Sequence, residues 1–79
     1  MTNTALLEKL INDSGLKLSF IAQKLGITRQ ALYKKIKGLV QFTGREIKIM
    51  CDLLNLKTWA KIAPVFFADE VSKNDYTAS

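Results

Sequence analysis

The sequence predicts an all-α domain of four or five helices with a short extended C-terminal segment. Three observations carry this expectation. Apolar residues recur at spacings of three and four. Asparagine, threonine and glycine stand where helix starts and stops require them. The hydrophobic fraction of 48% within 79 residues is enough for one compact core and argues against wholesale disorder.

Leu6, Leu7, Leu10 and Ile11 share a helical face between candidate caps at Asn3 or Thr4 and a stop at Gly15, predicting a first helix over 4–13. Ile21, Ala22 and Leu25 form a second stripe that Gly26 interrupts, predicting a helix over 18–25. Thr28 can cap a third helix over 29–37, closed by Gly38; Leu32 and Ile36 make its one narrow apolar side. Thr43-Gly44-Arg45-Glu46 reads as a capping box ahead of Ile47, Met50, Cys51 and Leu54, predicting a helix over 44–55. A last short helix is expected from Thr58 to Pro64, because the residue before a proline is pushed away from helical geometry. Val65-Phe66-Phe67-Ala68 then favours an extended conformation. The expected organisation is one domain over 1–71 and a polar flexible tail over 72–79.

Composition narrows the function. The single cysteine, Cys51, can form no internal disulfide, and with no histidine the usual zinc ligand sets cannot be assembled, so neither metal nor cofactor is expected. Cys51 reads most simply as a small buried hydrophobe. The missing histidine also removes the commonest general base, and neither paired carboxylates nor a glycine-rich phosphate loop replaces it, so an enzyme is not expected. No apolar run approaches the roughly 18–20 residues that span a bilayer, and a cytoplasmic location is expected.

The net charge of +5 suits a polyanionic partner, and its distribution is uneven. Between Thr28 and Lys48, Arg29, Lys34, Lys35, Lys37, Arg45 and Lys48 are opposed by Glu46 alone, for a net +5 in that window. From Ile49 onward, three lysines meet four carboxylates.

Two short helices joined by a tight glycine-containing turn let the second helix protrude into a DNA major groove, about 12 Å wide. In Ala22-Gln23-Lys24-Leu25-Gly26-Ile27-Thr28, Ala22 is small enough for two helices to cross closely, Gly26 tolerates a left-handed turn, and Ile27 can pin the turn to the core. Residues 15–38, GLKLSFIAQKLGITRQALYKKIKG, resemble the helix-turn-helix of the lambda-repressor/Cro-like (Xre-type) family, especially small phage-related regulators. Residues 42–47 and 66–71 also resemble such regulators. Two features depart from many relatives: helix 2 starts with Lys17 and Leu18 in place of a polar cap and a glutamine, and the second apolar anchor of helix 3 is Ile36 instead of the preceding position, Lys35.

The resemblance implies a sequence-specific transcriptional regulator, most simply a repressor, that binds a double-stranded DNA operator as a homodimer. Arg29, Gln30, Tyr33 and Lys34 would contact bases, through bidentate hydrogen bonds to guanine from Arg29 and to adenine from Gln30. Ser19, Thr28, Lys35, Lys37, Gln41, Thr43 and Arg45 would contact the backbone. Other readings stay open. Tyr33 could pack on protein rather than on DNA, and the lysines of helix 3 could be a solvated face. Trp59, Phe66 and Phe67 could close the core or make a dimer contact. Residues 25–37 also resemble the terminal helix-turn-helix of Fis-like nucleoid proteins. An interaction module, such as an antitoxin or phage adaptor whose protein partner docks on 59–71, is the alternative from another class.

Overall fold

The computed structural model describes residues 1–69. Among the described residues the expected all-α architecture is present in five helices: α1 (Thr4–Ser14), α2 (Leu18–Leu25), α3 (Arg29–Ile36), α4 (Gly44–Leu53) and α5 (Trp59–Phe66). No strand occurs among the described residues, and none of their helices is long and apolar enough to cross a membrane. The expected tail, 72–79, and the boundary at 71 lie outside the described residues.

Local chemistry explains most of the boundaries. Asn3 Oδ1 accepts from the Leu6 N–H at 3.1 Å and starts α1. Thr43 and Glu46 complete the predicted capping box at α4. Three helices end in the same way, with two N–H groups folding back onto the last-turn carbonyls. Ile27 and Gly26 donate to Ala22 and Gln23 after α2, Leu39 and Gly38 to Lys34 and Lys35 after α3, and Leu56 and Asn55 to Cys51 and Asp52 after α4. This pattern corrects the expected end of the fourth helix from 55 to Leu53, because Asn55 takes a left-handed φ of 61°.

One core joins all five helices. It is formed by Leu7 and Ile11, Ile21, Ala22 and Leu25, Leu32 and Ile36, Met50 and Cys51, and Val65 and Phe66, with Phe42 and Leu56 from the connections. Phe42 and Phe66 meet edge to face at 5.6 Å between centroids. Helix α2 packs on α3 and α4, and α1 on α3 and α5. The chain's start is tied to its later part by Asn3 N–H donating to Val65 at 2.7 Å and Ala68 N–H donating to Met1 at 3.0 Å.

The C-terminal segment departs from expectation. Pro64 does not end the last helix but lies inside α5, and Val65 and Phe66 are helical instead of extended. Burying Val65 and Phe66, 1% and 3% exposed, carries the helix two residues past Pro64 and outweighs the proline's local preference. Trp59, expected in the core or at a partner, is 54% exposed and stacks on the half-buried Phe67 at 5.3 Å.

Candidate nucleic-acid interface

The turn between α2 and α3 occupies three residues. Gly26 has φ 73° and ψ 29°, a left-handed conformation that side chains disfavour. Ala22 is 3% exposed, small enough for α2 to lie close to its neighbours, and Ile27 packs half-buried against the core. Thr28 Oγ1 then accepts from the Ala31 N–H at 3.0 Å and starts α3. Lys17 begins α2 without a side-chain cap, so the departure from a polar cap noted in the sequence is real in the fold.

Burial sets the rotation of α3. Leu32 and Ile36, 0% and 4% exposed, point inward, which makes Ile36 the second anchor. Arg29, Gln30, Tyr33, Lys34 and Lys37 are therefore on the exposed side. The first four line one open concavity of about 380 Å³. Tyr33, 53% exposed, also borders a second concavity of about 300 Å³ shared with Glu8, Asn12, Leu18 and Ile36. After α3 the chain turns at Gly38, φ 82°, where an added Cβ would lie 3.2 Å from the Thr4 methyl; glycine thus serves both the turn and the close approach of α1.

Ion pairing separates the basic residues that the sequence groups together. Lys35 donates to the buried Glu46 at 2.5 Å, and their side chains are only 12% and 7% exposed. Lys35 is thus paired with a carboxylate on the side of α3 that faces α4. Burial pushes the Glu46 carboxyl up, but the Lys35 ammonium and the Thr43 N–H and hydroxyl outweigh burial and hold it below its ordinary value. Lys37 donates to Glu8 at 2.6 Å, and Arg45 Nη1 donates to the Leu25 carbonyl at 3.2 Å, pinning α4 to the end of α2. Arg29 and Lys34 have no salt-bridge partner among the described residues.

Among the other expected contacts, Ser19, Thr28, Thr43 and Arg45 are exposed around helix starts. Gln41 is exposed elsewhere, in a cleft with Met1, Thr2, Phe42, Ile47, Phe66 and Phe67. Glu8 was not foreseen, because no local pattern links it to a lysine 29 positions away. Lys24, 5.3 Å from the Phe20 ring centroid on the outer side of α2, was visible only as a residue inside the motif. Burial, with Asp52 nearby, pushes the Cys51 thiol above its ordinary value, in keeping with a buried, protonated side chain.

Residues 3–50, more than half of the chain, match the family model of the HTH domain, a span running from the α1 cap through most of α4. No curated protein and no solved structure matches the chain.

Proposed function

The chain belongs to this helix-turn-helix domain family, and on that premise we propose that it is a sequence-specific regulator of transcription that inserts α3 into the major groove of duplex DNA. The observation that carries the reading is the outer face of α3. Arg29, Gln30, Tyr33 and Lys34 share one concavity, and neither Arg29 nor Lys34 is neutralised by a carboxylate among the described residues. An α-helix with its side chains is about 10–12 Å across, which a groove about 12 Å wide admits.

In this reading Gln30 grips an adenine N6/N7 edge and Arg29 a guanine O6/N7 edge, Lys34 reaches a base or phosphate, and Tyr33 meets a thymine methyl. Ser19, Thr28, Thr43 and Arg45 meet phosphates at the helix starts, where free N–H groups and the helix dipole favour anions. Gln41 joins them at the edge of the contact. The lambda-repressor/Cro-like resemblance of residues 15–38 supports a phage-type repressor acting in the cytoplasm. Two copies on a palindromic operator would place their α3 helices about 34 Å apart, one turn of DNA. The exposed Trp59 favours a second reading, in which the segment from residue 59 onward docks a protein partner.

The test is binding to a duplex selected by the protein from a random pool and to an unselected duplex, across a salt series. Gln30→Ala should reduce the preference for the selected duplex by about 1–3 kcal/mol and leave binding to the unselected one nearly unchanged. Equal affinity of the wild type for both duplexes would overturn sequence-specific regulation, and binding to neither would leave the docking reading in its place.

A further inference from the structure

Helix α1 brings a carboxylate to the border of the α3 outer face. Glu8 Oε1 accepts from Lys37 Nζ at 2.6 Å, and both side chains remain partly exposed, at 39% and 40%. The same ammonium lies 5.4 Å from the centroid of the Tyr33 ring, within reach of a cation–π attraction. Glu8 and Tyr33 also line one concavity. Tyr33 therefore stands as a wall between that concavity and the one lined by Arg29, Gln30 and Lys34. A three-residue chain of contacts, Glu8 to Lys37 to Tyr33, restrains the ring from the α1 side.

A carboxylate beside a surface that meets a polyanion repels it. Here the carboxylate neutralises Lys37 and orients it. We propose that Glu8 is a positioning residue of the DNA-reading face, acting through Lys37 to fix the Tyr33 ring against a thymine C5-methyl and to keep that ammonium from a phosphate. This rests on the DNA-binding reading above. The thymine methyl is the one apolar group that a base pair presents in the major groove, and an aromatic ring held in place can cover it. The hydrogen bond to Glu8 and the charge of Glu8 raise the Lys37 pKa above its ordinary value, so the lysine is charged at neutral pH.

The test compares wild type, Glu8→Gln and Asp13→Asn on three probes: a duplex selected by the wild type, the same duplex with every thymine replaced by uracil, and an unselected duplex. Asp13 is the control because it lies on α1 and pairs with Lys9 at 2.8 Å, so Asp13→Asn removes the same charge and releases a different lysine. The wild type should prefer the thymine duplex over its uracil counterpart about fourfold, the effect of covering one methyl group. Glu8→Gln should bring that ratio toward one and bind the unselected duplex more tightly. Its log K against log salt slope should steepen by about 0.9, one added phosphate contact. Asp13→Asn should follow the wild type on every probe. All three proteins should melt alike, because exposed pairs contribute little to stability.

Wild-type slope and thymine ratio in Glu8→Gln would overturn the proposal, as would Asp13→Asn reproducing the Glu8→Gln changes, which would mark a general charge effect. A wild type indifferent to the uracil exchange would overturn it too. If the wild type binds no duplex, the DNA-binding reading itself falls, an outcome distinct from the other three.

Discussion

Helices α3 and α5 have the same length, eight residues, and are built in opposite ways. The ends of α3 are satisfied locally, by the Thr28 hydroxyl at its start and by the Gly38 and Leu39 N–H groups at its end. It buries only Leu32 and Ile36. At the start of α5, Thr58 makes no side-chain cap, Pro64 lies inside the helix, and Ala63, Val65 and Phe66 are buried. A helix closed by its own flanking residues can be anchored by few buried side chains, so most of its surface is free for a ligand. A helix without such closure is held by burial, and the side chains that hold it are unavailable for anything else.

The largest expected effect tests that contrast directly. Phe66→Ala removes a ring that is 3% exposed and packed on Phe42, and should cost about 3–5 kcal/mol. That is a large share of the stability of so small a domain. Tyr33→Ala, on the exposed face of α3, should stay within about 0.5 kcal/mol. Urea midpoints of the two variants decide the matter, and similar losses would break the contrast.

The same contrast explains what could be read from the sequence. The bounds of α1 to α3 follow from local signals, namely Asn3, Gly15, Gly26, Thr28 and Gly38, and a residue's capping capacity depends on neighbours within four positions. Asn55 was missed as a left-handed stop because Leu54 before it continues the apolar pattern of α4. The course of α5 was missed because it depends on where Phe66 meets Phe42, a contact that no local propensity encodes. In the candidate interface, the outward set Arg29, Gln30, Tyr33 and Lys34 follows from the spacing of Leu32 and Ile36 alone. The charge count, however, treated Lys35 and Lys37 as free, while partners 11 and 29 positions away hold them.

The Lys35–Glu46 pair gives the next largest effect, because it anchors the inner side of α3 to α4. Glu46→Gln keeps an acceptor for the Thr43 N–H but removes the charge that faces the Lys35 ammonium, and should cost about 1–3 kcal/mol at neutral pH. The Glu46 pKa is lowered in the folded protein, so the pair's contribution is fully present above the ordinary glutamate pKa of about 4.3. It is lost as pH falls through the lower folded value. The wild type should therefore lose its advantage over Glu46→Gln on acidification through that range, as read from melting temperatures at pH 7 and at successively lower pH. A constant gap would show that the charge of Glu46 contributes nothing and that α3 rests on Leu32 and Ile36 alone.

A smaller effect, that of Pro64→Ala, addresses the other helix and has two components of opposite sign. Alanine restores an N–H that can donate to the Ala60 carbonyl and removes the ring that crowds that carbonyl, a gain of up to about 3 kcal/mol in an isolated helix interior. Against this, the unfolded chain regains freedom that proline denied it, about 0.4–1 kcal/mol, and the half-buried ring loses its contacts. Near the start of α5 the crowded carbonyl belongs to an exposed residue that water can satisfy, so the gain is reduced. The net expectation is a stabilisation of about 1 kcal/mol, measured as a shift in urea midpoint at unchanged slope. If burial of Val65 and Phe66 holds α5, removing the proline relieves a local conflict and the protein gains. A loss of stability instead would mean that the fixed φ of Pro64 helps to set the course of the chain, and α5 would then owe its form, as α3 does, to a residue of its own.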